Sequence, residues 1–154
     1  MLEGVIAGGV IFLVLLGWIV VQQLARRGRK SILLIAPPQA QNYAQHMISG
    51  VRDTAAEMGM AVTLADAVTS DSASQDVVNY VADILRADPA IDAIICASTS
   101  SAMAAVAGLE QHGATVGQQI DVFAKEAIPF LKLFRAEILT IAEKVGTAGA
   151  FLAQ

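Results

Sequence analysis

The sequence is poor in the residues that build metal centres and disulfide frameworks. Among its 154 residues there is one cysteine, Cys96, and there are two histidines, His46 and His112. A single thiol excludes a disulfide framework, and two histidines so far apart in the chain give no metal-ligand spacing. We therefore expect no metal site and no cofactor.

Positive charge is scarce after residue 30. The formal net charge is −4, and beyond the cluster of Arg26, Arg27, Arg29 and Lys30 the acidic residues outnumber the basic ones. Neutralising phosphates requires clustered Lys and Arg, so we expect no nucleic-acid partner. No phosphate-binding loop, glycine-rich dinucleotide loop or Ser-His-Asp arrangement is recognisable, which predicts a protein that is not an enzyme.

Charged side chains are also missing from one long stretch near the start. Residues 4–21 carry none, and a helix running on to residue 24 would measure about 30 Å, the thickness of a bilayer core. The basic cluster follows the apolar run instead of preceding it, which favours an uncleaved anchor over a cleaved signal peptide. The sequence thus predicts a transmembrane helix over residues 1–24 and a basic juxtamembrane segment over 25–30. Positive charge stays on the cytoplasmic side, so the predicted location is the inner membrane, with the N-terminus outside and the remaining chain in the cytoplasm.

Small residues recur along the predicted membrane helix. Gly4 and Gly8 form a G-x-x-x-G pair, and Gly9 and Gly17 add further small positions. Such positions let a second helix approach closely, although glycine is common in membrane helices anyway. Together with Trp18, whose indole suits the membrane interface, they are the candidate residues for helix packing.

Residues 31–154 alternate between short apolar runs and stretches of helical periodicity. This alternation predicts right-handed βαβ units, and hence an α/β fold with a single Rossmann-like parallel sheet. The predicted strands cover residues 31–36, 61–68, 91–97, 120–124 and 137–142. The predicted helices cover residues 43–58, 71–88, 101–112 and 128–135, with a last one beginning at 147.

Two segments resemble LacI-type repressors and periplasmic sugar-binding proteins. The stretch NYAQHMISGVRDTAAEMGM is similar to the helix that opens the C-terminal lobe of that family. The stretch DAIICASTSSAMAAVAGLEQHGATVGQQIDVFAKEA is similar to its strand, small-residue helix and following strand. The resemblance covers nearly all of 31–154 and implies one periplasmic-binding-protein-like lobe, where family members clamp a sugar between two. The family's helix-turn-helix DNA reader has no counterpart.

The residues that hold sugar in the family differ in this chain. Where the family has Asn-Asp after the third strand, this sequence has Ser98-Thr99. Where the family often has Gly-x-Asp-Asp after the fourth, this sequence has Lys125-Glu126, and the Arg at the start of the first helix has no counterpart near His46. Carboxylates and Arg bind hydroxyls through strong paired hydrogen bonds, so the resemblance implies a degenerate sugar site.

Ligands of open parallel sheets bind beyond the carboxyl ends of the strands. The candidate ligand-binding residues at that edge are Asn42, Tyr43, His46, Ser98, Thr99, Ser100, Ser101, Lys125 and Glu126. The four consecutive hydroxyls suit a sugar or small anion at a helix N-terminus, and the alternative is a plain cap made by Ser100 or Ser101. Neighbours on a strand point to opposite faces, which favours a surface role for Lys125 and Glu126 over an acid/base pair.

Residues 128–139 contain a dense apolar group. Its candidate interaction residues are Phe130, Leu131, Leu133, Phe134 and Ile138. In a two-lobed relative this region lies near the hinge, so a single lobe would leave it exposed as a protein-interaction surface. The alternative is that these side chains pack on their own sheet.

These observations predict a non-enzymatic single-pass membrane protein. In this interpretation it is an accessory or structural subunit, docked on a larger membrane complex through its helix and its degenerate lobe. The alternative is a membrane-tethered module that senses a small sugar-like ligand. The expected partners are the lipid bilayer, the subunits of a membrane complex and, in the alternative, the sugar-like ligand.

Overall fold

The computed structural model describes residues 15–40, 42–125 and 129–140. They form a five-stranded parallel sheet in the order β2-β1-β3-β4-β5, with helices on both faces. The strands are β1 (Ser31–Ile35), β2 (Ala61–Leu64), β3 (Ala93–Cys96), β4 (Asp121–Ala124) and β5 (Leu139–Thr140). The helices are α1 (residues 15–26), α2 (Asn42–Glu57), α3 (Ser74–Ala87), α4 (Thr99–Gln111) and α5 (Pro129–Phe134). The prediction of a parallel α/β fold is confirmed.

The three central strands are buried along their whole length. Every residue of β1, β3 and β4 is buried, because helices cover both faces of a parallel sheet. The pairing aligns Leu33 with Ile94 and Ile94 with Val122. Strand β2 is shorter than expected and ends at Leu64, after which the chain turns and the backbone of Ala65 donates to the Leu34 carbonyl.

The first face of the sheet is covered by α3 and α4. These helices cross at Gly108, where a Cβ atom would lie 2.7 Å from the carbonyl oxygen of Val78. Their apolar side chains cover Leu33, Ile94 and Val122 in one cluster. The missing side chain at Gly108 therefore sets how closely the two helices approach.

Helix α1 packs on the opposite face of the sheet. Its residues Leu16, Val20 and Leu24 are buried in one cluster with Met47 of α2 and Phe123 of β4. A membrane helix would have presented these side chains to lipid or to another subunit. Among the residues that the structure describes, no helix is both long enough and apolar enough to cross a membrane. The prediction of a membrane span over residues 1–24 is therefore not supported.

The candidate helix-packing residues fall into two groups. A Cβ atom on Gly17 would lie 2.8 Å from the carbonyl carbon of Gly50, so α1 and α2 touch backbone to backbone at this point. Gly17 is thus a close-packing position, but its neighbour is a helix of the same lobe. Trp18 is half-exposed, and Gly4, Gly8 and Gly9 lie outside the described residues.

Two arginines of the predicted juxtamembrane cluster bind a buried carboxylate of the lobe. Arg27 donates from Nε and Nη2 to the two carboxylate oxygens of Asp121, at 2.7 and 2.8 Å, and Arg29 Nε donates to Asp121 Oδ2 at 2.7 Å. The side chain of Asp121 is 0% exposed. Burial raises the pKa of Asp121, but the hydrogen bonds from Arg27 and Arg29 outweigh burial and hold this pKa below its ordinary value. The segment thus fastens α1 to β4, since both cations bind the same buried carboxylate.

Candidate functional site

The candidate site lies where the central strands end. The backbone N–H of Ala97 donates to the carbonyl of Ile35, and that of Lys125 donates to the carbonyl of Cys96, each at 3.1 Å. These bonds show that β1, β3 and β4 end side by side at the same edge of the sheet. Helices α2 and α4 begin at the same edge, so their N-terminal residues stand beside the strand ends.

A reciprocal serine cap opens α4. The N–H of Ser101 donates to Ser98 Oγ at 3.2 Å, and the N–H of Ser98 donates to Ser101 Oγ at 3.3 Å. This is a capping box, in which two unpaired helix-terminal donors are satisfied. The capping residue is Ser98, which lies earlier in the chain than the expected Ser100 or Ser101.

The same two serine side chains also hold the neighbouring loop. Ser98 Oγ donates to the carbonyl of Ser70 at 3.0 Å and thereby ties the segment after β2 to the start of α4. Ser101 is buried, and its Oγ donates to the carbonyl of Ser98 at 2.9 Å. The hydroxyls of Ser98 and Ser101 are therefore engaged within the protein.

The two remaining hydroxyls of the run differ from this pair. Thr99 Oγ1 is buried and has no hydrogen-bond partner among the described residues. Ser100 is exposed, and its Oγ lies 3.3 Å from Ser98 Oγ. A buried hydroxyl without a partner costs about 1–3 kcal/mol. The hydroxyl of Thr99 is therefore enclosed at the N-terminus of α4 with no hydrogen bond to any described residue.

A second group of candidate residues meets at the start of α2. The ammonium of Lys125 lies 5.4 Å from the centroid of the Tyr43 ring, within the range of a cation–π contact. Asn42 is exposed beside this pair, and His46 is half-buried one turn further along α2. Within residues 15–40, 42–125 and 129–140, no hydrogen bond or ion pair joins this group to the serine run. Glu126 lies outside the described residues.

The predicted interaction surface divides into an inner and an outer half. Leu131 and Ile138 are fully buried, and Phe134 packs partly against the same core. Phe130 and Leu133 are 54% and 85% exposed. Helix α5 is amphipathic: residues 131 and 134 face the sheet, whereas 130 and 133 face outward.

The lone thiol lies inside the sheet. Cys96 is fully buried on β3. Burial raises the pKa of Cys96 strongly, and the hydrogen bond with Ser101 offsets only part of that rise. Only the thiolate is a strong nucleophile, so this cysteine is chemically inert at neutral pH. The part of the chain that the structure describes also contains no cluster of three or more His, Cys, Asp or Glu residues suited to a metal ion.

Residues 17–148 match the family of periplasmic binding proteins and the sugar-binding domain of the LacI family. The chain belongs to this family. The match begins inside the predicted membrane helix, which agrees with the packing of α1 on the sheet. The family resemblance seen in the sequence is confirmed, and the fusion of the lobe to a transmembrane helix is not supported.

Solved structures show the same fold. A LacI family transcriptional regulator from Bifidobacterium animalis subsp. lactis superposes with a TM-score of 0.74 at 17% identity, over 83% of this chain and 46% of the regulator. A LacI family regulator from Arthrobacter sp. FB24, in complex with lactose, gives 0.70 at 19% identity, over 91% and 53%. An ABC transporter periplasmic solute-binding protein from Actinobacillus succinogenes, with bound D-allose, gives 0.66 at 17%, over 79% and 43%.

This chain therefore spans about half the length of the solved structures that it matches. At these identities the similarity establishes the fold alone. A comparison with curated proteins gave no match.

Proposed function

We propose that this lobe is a non-enzymatic binding module that supplies one wall of a site for a small polyhydroxylated ligand. The observation that carries the proposal is the buried hydroxyl of Thr99 at the carboxyl edge of the sheet, which has no hydrogen-bond partner within residues 15–40, 42–125 and 129–140. In open α/β sheets this edge is where ligands bind. This hydroxyl is closed to solvent in the free lobe, so a ligand hydroxyl would have to displace the atoms around it to reach Thr99 and would then relieve the cost of the missing hydrogen bond.

The neighbouring groups favour the same class of ligand. Tyr43 is 42% exposed and its ring offers a flat apolar face, and Asn42 adds an exposed amide that both donates and accepts. Lys125 brings a positive charge to this edge, and the N-terminus of α4 favours negative charge as well. A sugar or polyol that carries an acidic group suits these residues better than a neutral sugar.

Titration calorimetry of the full chain tests this proposal. The probes are D-gluconate, myo-inositol, lactose and D-allose, and we expect gluconate to bind most tightly. Thr99→Val removes the hydroxyl at nearly constant volume and should weaken binding about three- to tenfold, the worth of one hydrogen bond. Thr115→Val, on an exposed threonine after α4, is the matched control. Absence of binding for all four probes, or equal affinity of both variants and the parent chain, would contradict the proposal.

The opposite wall of the site is proposed to come from a second lobe. The solved relatives are about twice as long as this chain. Phe130 and Leu133 project outward from α5, which follows the end of β4. Apolar side chains exposed in this way suit contact with a neighbouring lobe.

The same outward side chains favour a second candidate function, as an accessory subunit of a larger assembly. The membrane helix on which that prediction also depended is not supported, so its remaining basis is the exposed Phe130 and Leu133. The measurement that separates the two functions is the composition of the complex recovered after gentle detergent extraction. Recovery with stoichiometric membrane subunits would favour the accessory role, whereas recovery alone would exclude it. The cytoplasmic location at the inner membrane stays a prediction.

A further inference from the structure

A cavity of about 260 Å³ opens at the amino-terminal edge of the sheet, at the far end of the strands from the serine run. Its lining comes from four places in the chain: the ends of α3 and α4 and the residues just before β3 and β4. A water molecule takes up about 30 Å³ in the liquid, so the cavity has room for about eight of them. This space suits a small organic molecule, and we call it the amino-edge cavity.

Part of the wall of the amino-edge cavity is apolar. Leu85 at the end of α3, Ile91 before β3 and Ile120 before β4 all line it, and each of these residues is buried. Pro89 adds a half-buried ring. An apolar group placed against these side chains leaves water, which is favourable. The wall therefore suits a ligand with a compact hydrocarbon or aromatic body.

Polar side chains line the same cavity. Asp92 is half-buried, and its Oδ1 accepts hydrogen bonds from the backbone N–H groups of Lys30 and Ser31 at 3.0 and 2.9 Å. An ionised carboxylate has about four lone-pair sites, so Asp92 can accept a further hydrogen bond from a ligand. His112 and Gln119 are exposed and also line the cavity.

The electrostatics of the amino-edge cavity favour a cation. Helices α3 and α4 both end at it, and the last carbonyl groups of a helix carry partial negative charge. Among the described residues that line the cavity, Asp92 is the only Asp, Glu, Lys or Arg, and it adds a full negative charge. Arg29 donates to the backbone carbonyl of Gln119 at 3.0 Å, but its guanidinium is paired at 2.7 Å with the buried carboxylate of Asp121.

We propose that the amino-edge cavity binds a small organic amine, with its ammonium group on Asp92 and its apolar body against Leu85, Ile91 and Ile120. An ammonium group donates three hydrogen bonds and accepts none, which matches a carboxylate and two helix C-termini. A ligand carboxylate would instead meet three negative groups. Strand β3 is four residues long, so about 13 Å separates this cavity from the carboxyl edge. Binding at one edge can therefore be tested without the other.

A chemical-shift map of the full chain titrated with 2-phenylethylamine at neutral pH tests this site. The amides of residues 91–92, 112–114 and 119–120 should move, whereas those of residues 98–101 stay fixed. We expect a Kd of about 1 mM, as is usual for a ligand of this size. Two matched ligands keep the ring and replace the ammonium group. 2-Phenylethanol should bind about fivefold more weakly, because its hydrogen bond to Asp92 has no charged donor, and phenylacetate should not bind.

Two variants identify the residues that hold the amine. Asp92→Asn removes the negative charge and should weaken the binding of 2-phenylethylamine about fivefold or more. Asp88→Asn is its matched control, because Asp88 is also half-buried but does not line the cavity. Ala114→Phe fills the cavity from its wall and should abolish binding, whereas Ala56→Phe on the exposed side of α2 should leave binding unchanged.

The two variants also separate a lost site from a lost fold. Asp92 holds the backbone at the start of β1, so far-ultraviolet circular dichroism must show that Asp92→Asn keeps its secondary structure. Ala114→Phe leaves Asp92 in place and tests the cavity independently of that contact.

Three results would overturn the proposal. The first is the absence of shifts at the cavity amides with 2-phenylethylamine, or shifts confined to residues 98–101, which would place the amine at the other edge. The second is binding of 2-phenylethanol or phenylacetate as tight as that of the amine, which would show a cavity with no preference for a cation. The third is amine binding that is unchanged by Ala114→Phe or by a folded Asp92→Asn.

Discussion

Replacing Asp121 with asparagine tests how α1 is fastened to the sheet. The side chain keeps its size but loses its charge, so Arg27 and Arg29 lose the carboxylate that both of them bind. Removing one partner of a buried ion pair costs about 3–5 kcal/mol. The Arg27 side chain is 40% exposed and gains some compensation from water, whereas the Arg29 side chain is 15% exposed and gains little. We therefore expect a loss near the lower limit, about 3 kcal/mol.

Urea unfolding of the full chain, followed by circular dichroism, measures this loss. For a domain of this size, about 3 kcal/mol corresponds to a fall in Tm of roughly 10 °C. Asp83→Asn is the matched control, since Asp83 forms an exposed ion pair with Arg86 on α3 that should be worth about 0.5 kcal/mol or less. If Asp121→Asn costs no more than Asp83→Asn, then residues 27–29 do not hold α1 to the sheet and the described packing of α1 is wrong.

Further predictions concern pH, packing, capping and the thiol. The pKa of Asp121 is lowered in the folded state from its ordinary value of 3.8. Its ion pairs therefore stabilise the fold fully well above pH 3.8, and this stabilisation is lost as the pH falls through 3.8 toward the lowered pKa. Between pH 7 and pH 3 the urea midpoint should fall more steeply for the parent chain than for Asp121→Asn. Gly17→Ala places a methyl group against the backbone of Gly50 and should cost about 1–3 kcal/mol in urea unfolding, whereas Ser49→Ala on exposed surface should be neutral. Ser98→Ala removes the helix cap and should cost about 1–2 kcal/mol, and an equal cost for the exposed Ser100→Ala would show that the cap is misassigned. Cys96 is buried with a raised pKa, so it should react with a disulfide reagent only after unfolding, and reaction in the native protein would contradict its burial.

The strands could be predicted from sequence because burial on both faces leaves a continuous apolar run. Residues 32–35 and 93–96 are such runs, and they form the centre of the sheet. The edges of the sheet were harder to delimit. The run after residue 61 contains Asp66, and the strand ends before it at Leu64. Among the described residues β2 is an edge strand, so its second side has no strand partner that would extend it.

For helix α1, composition alone does not distinguish two kinds of helix. An uninterrupted apolar stretch has the same appearance in a membrane helix and in a helix buried against a sheet. What distinguishes them here is the set of distant partners, Met47, Phe123 and Asp121. Asp121 at the start of a buried strand was a usable signal, because a carboxylate in that position needs a cationic partner. Its partners, Arg27 and Arg29, lie too far away in the chain for local patterns to identify them.

The candidate site was predictable as a region but not as a set of contacts. The rule that ligands bind at the carboxyl edge of a parallel sheet led to the serine run, Tyr43 and Lys125. The sequence does not distinguish the hydroxyls of Ser98 and Ser101, which the cap and the loop engage, from the hydroxyl of Thr99. That distinction depends on side-chain rotamers and on the position of Ser70, which the fold alone determines.

A chemical-shift map of the full chain titrated with D-gluconate tests whether a ligand binds at the carboxyl edge of the sheet. The backbone amides of residues 42–46, 98–101 and 125 should move together and saturate at one affinity, while those around His112 and Gln119 at the opposite edge stay fixed. No shift at saturating gluconate, or shifts confined to the opposite edge, would contradict the claim.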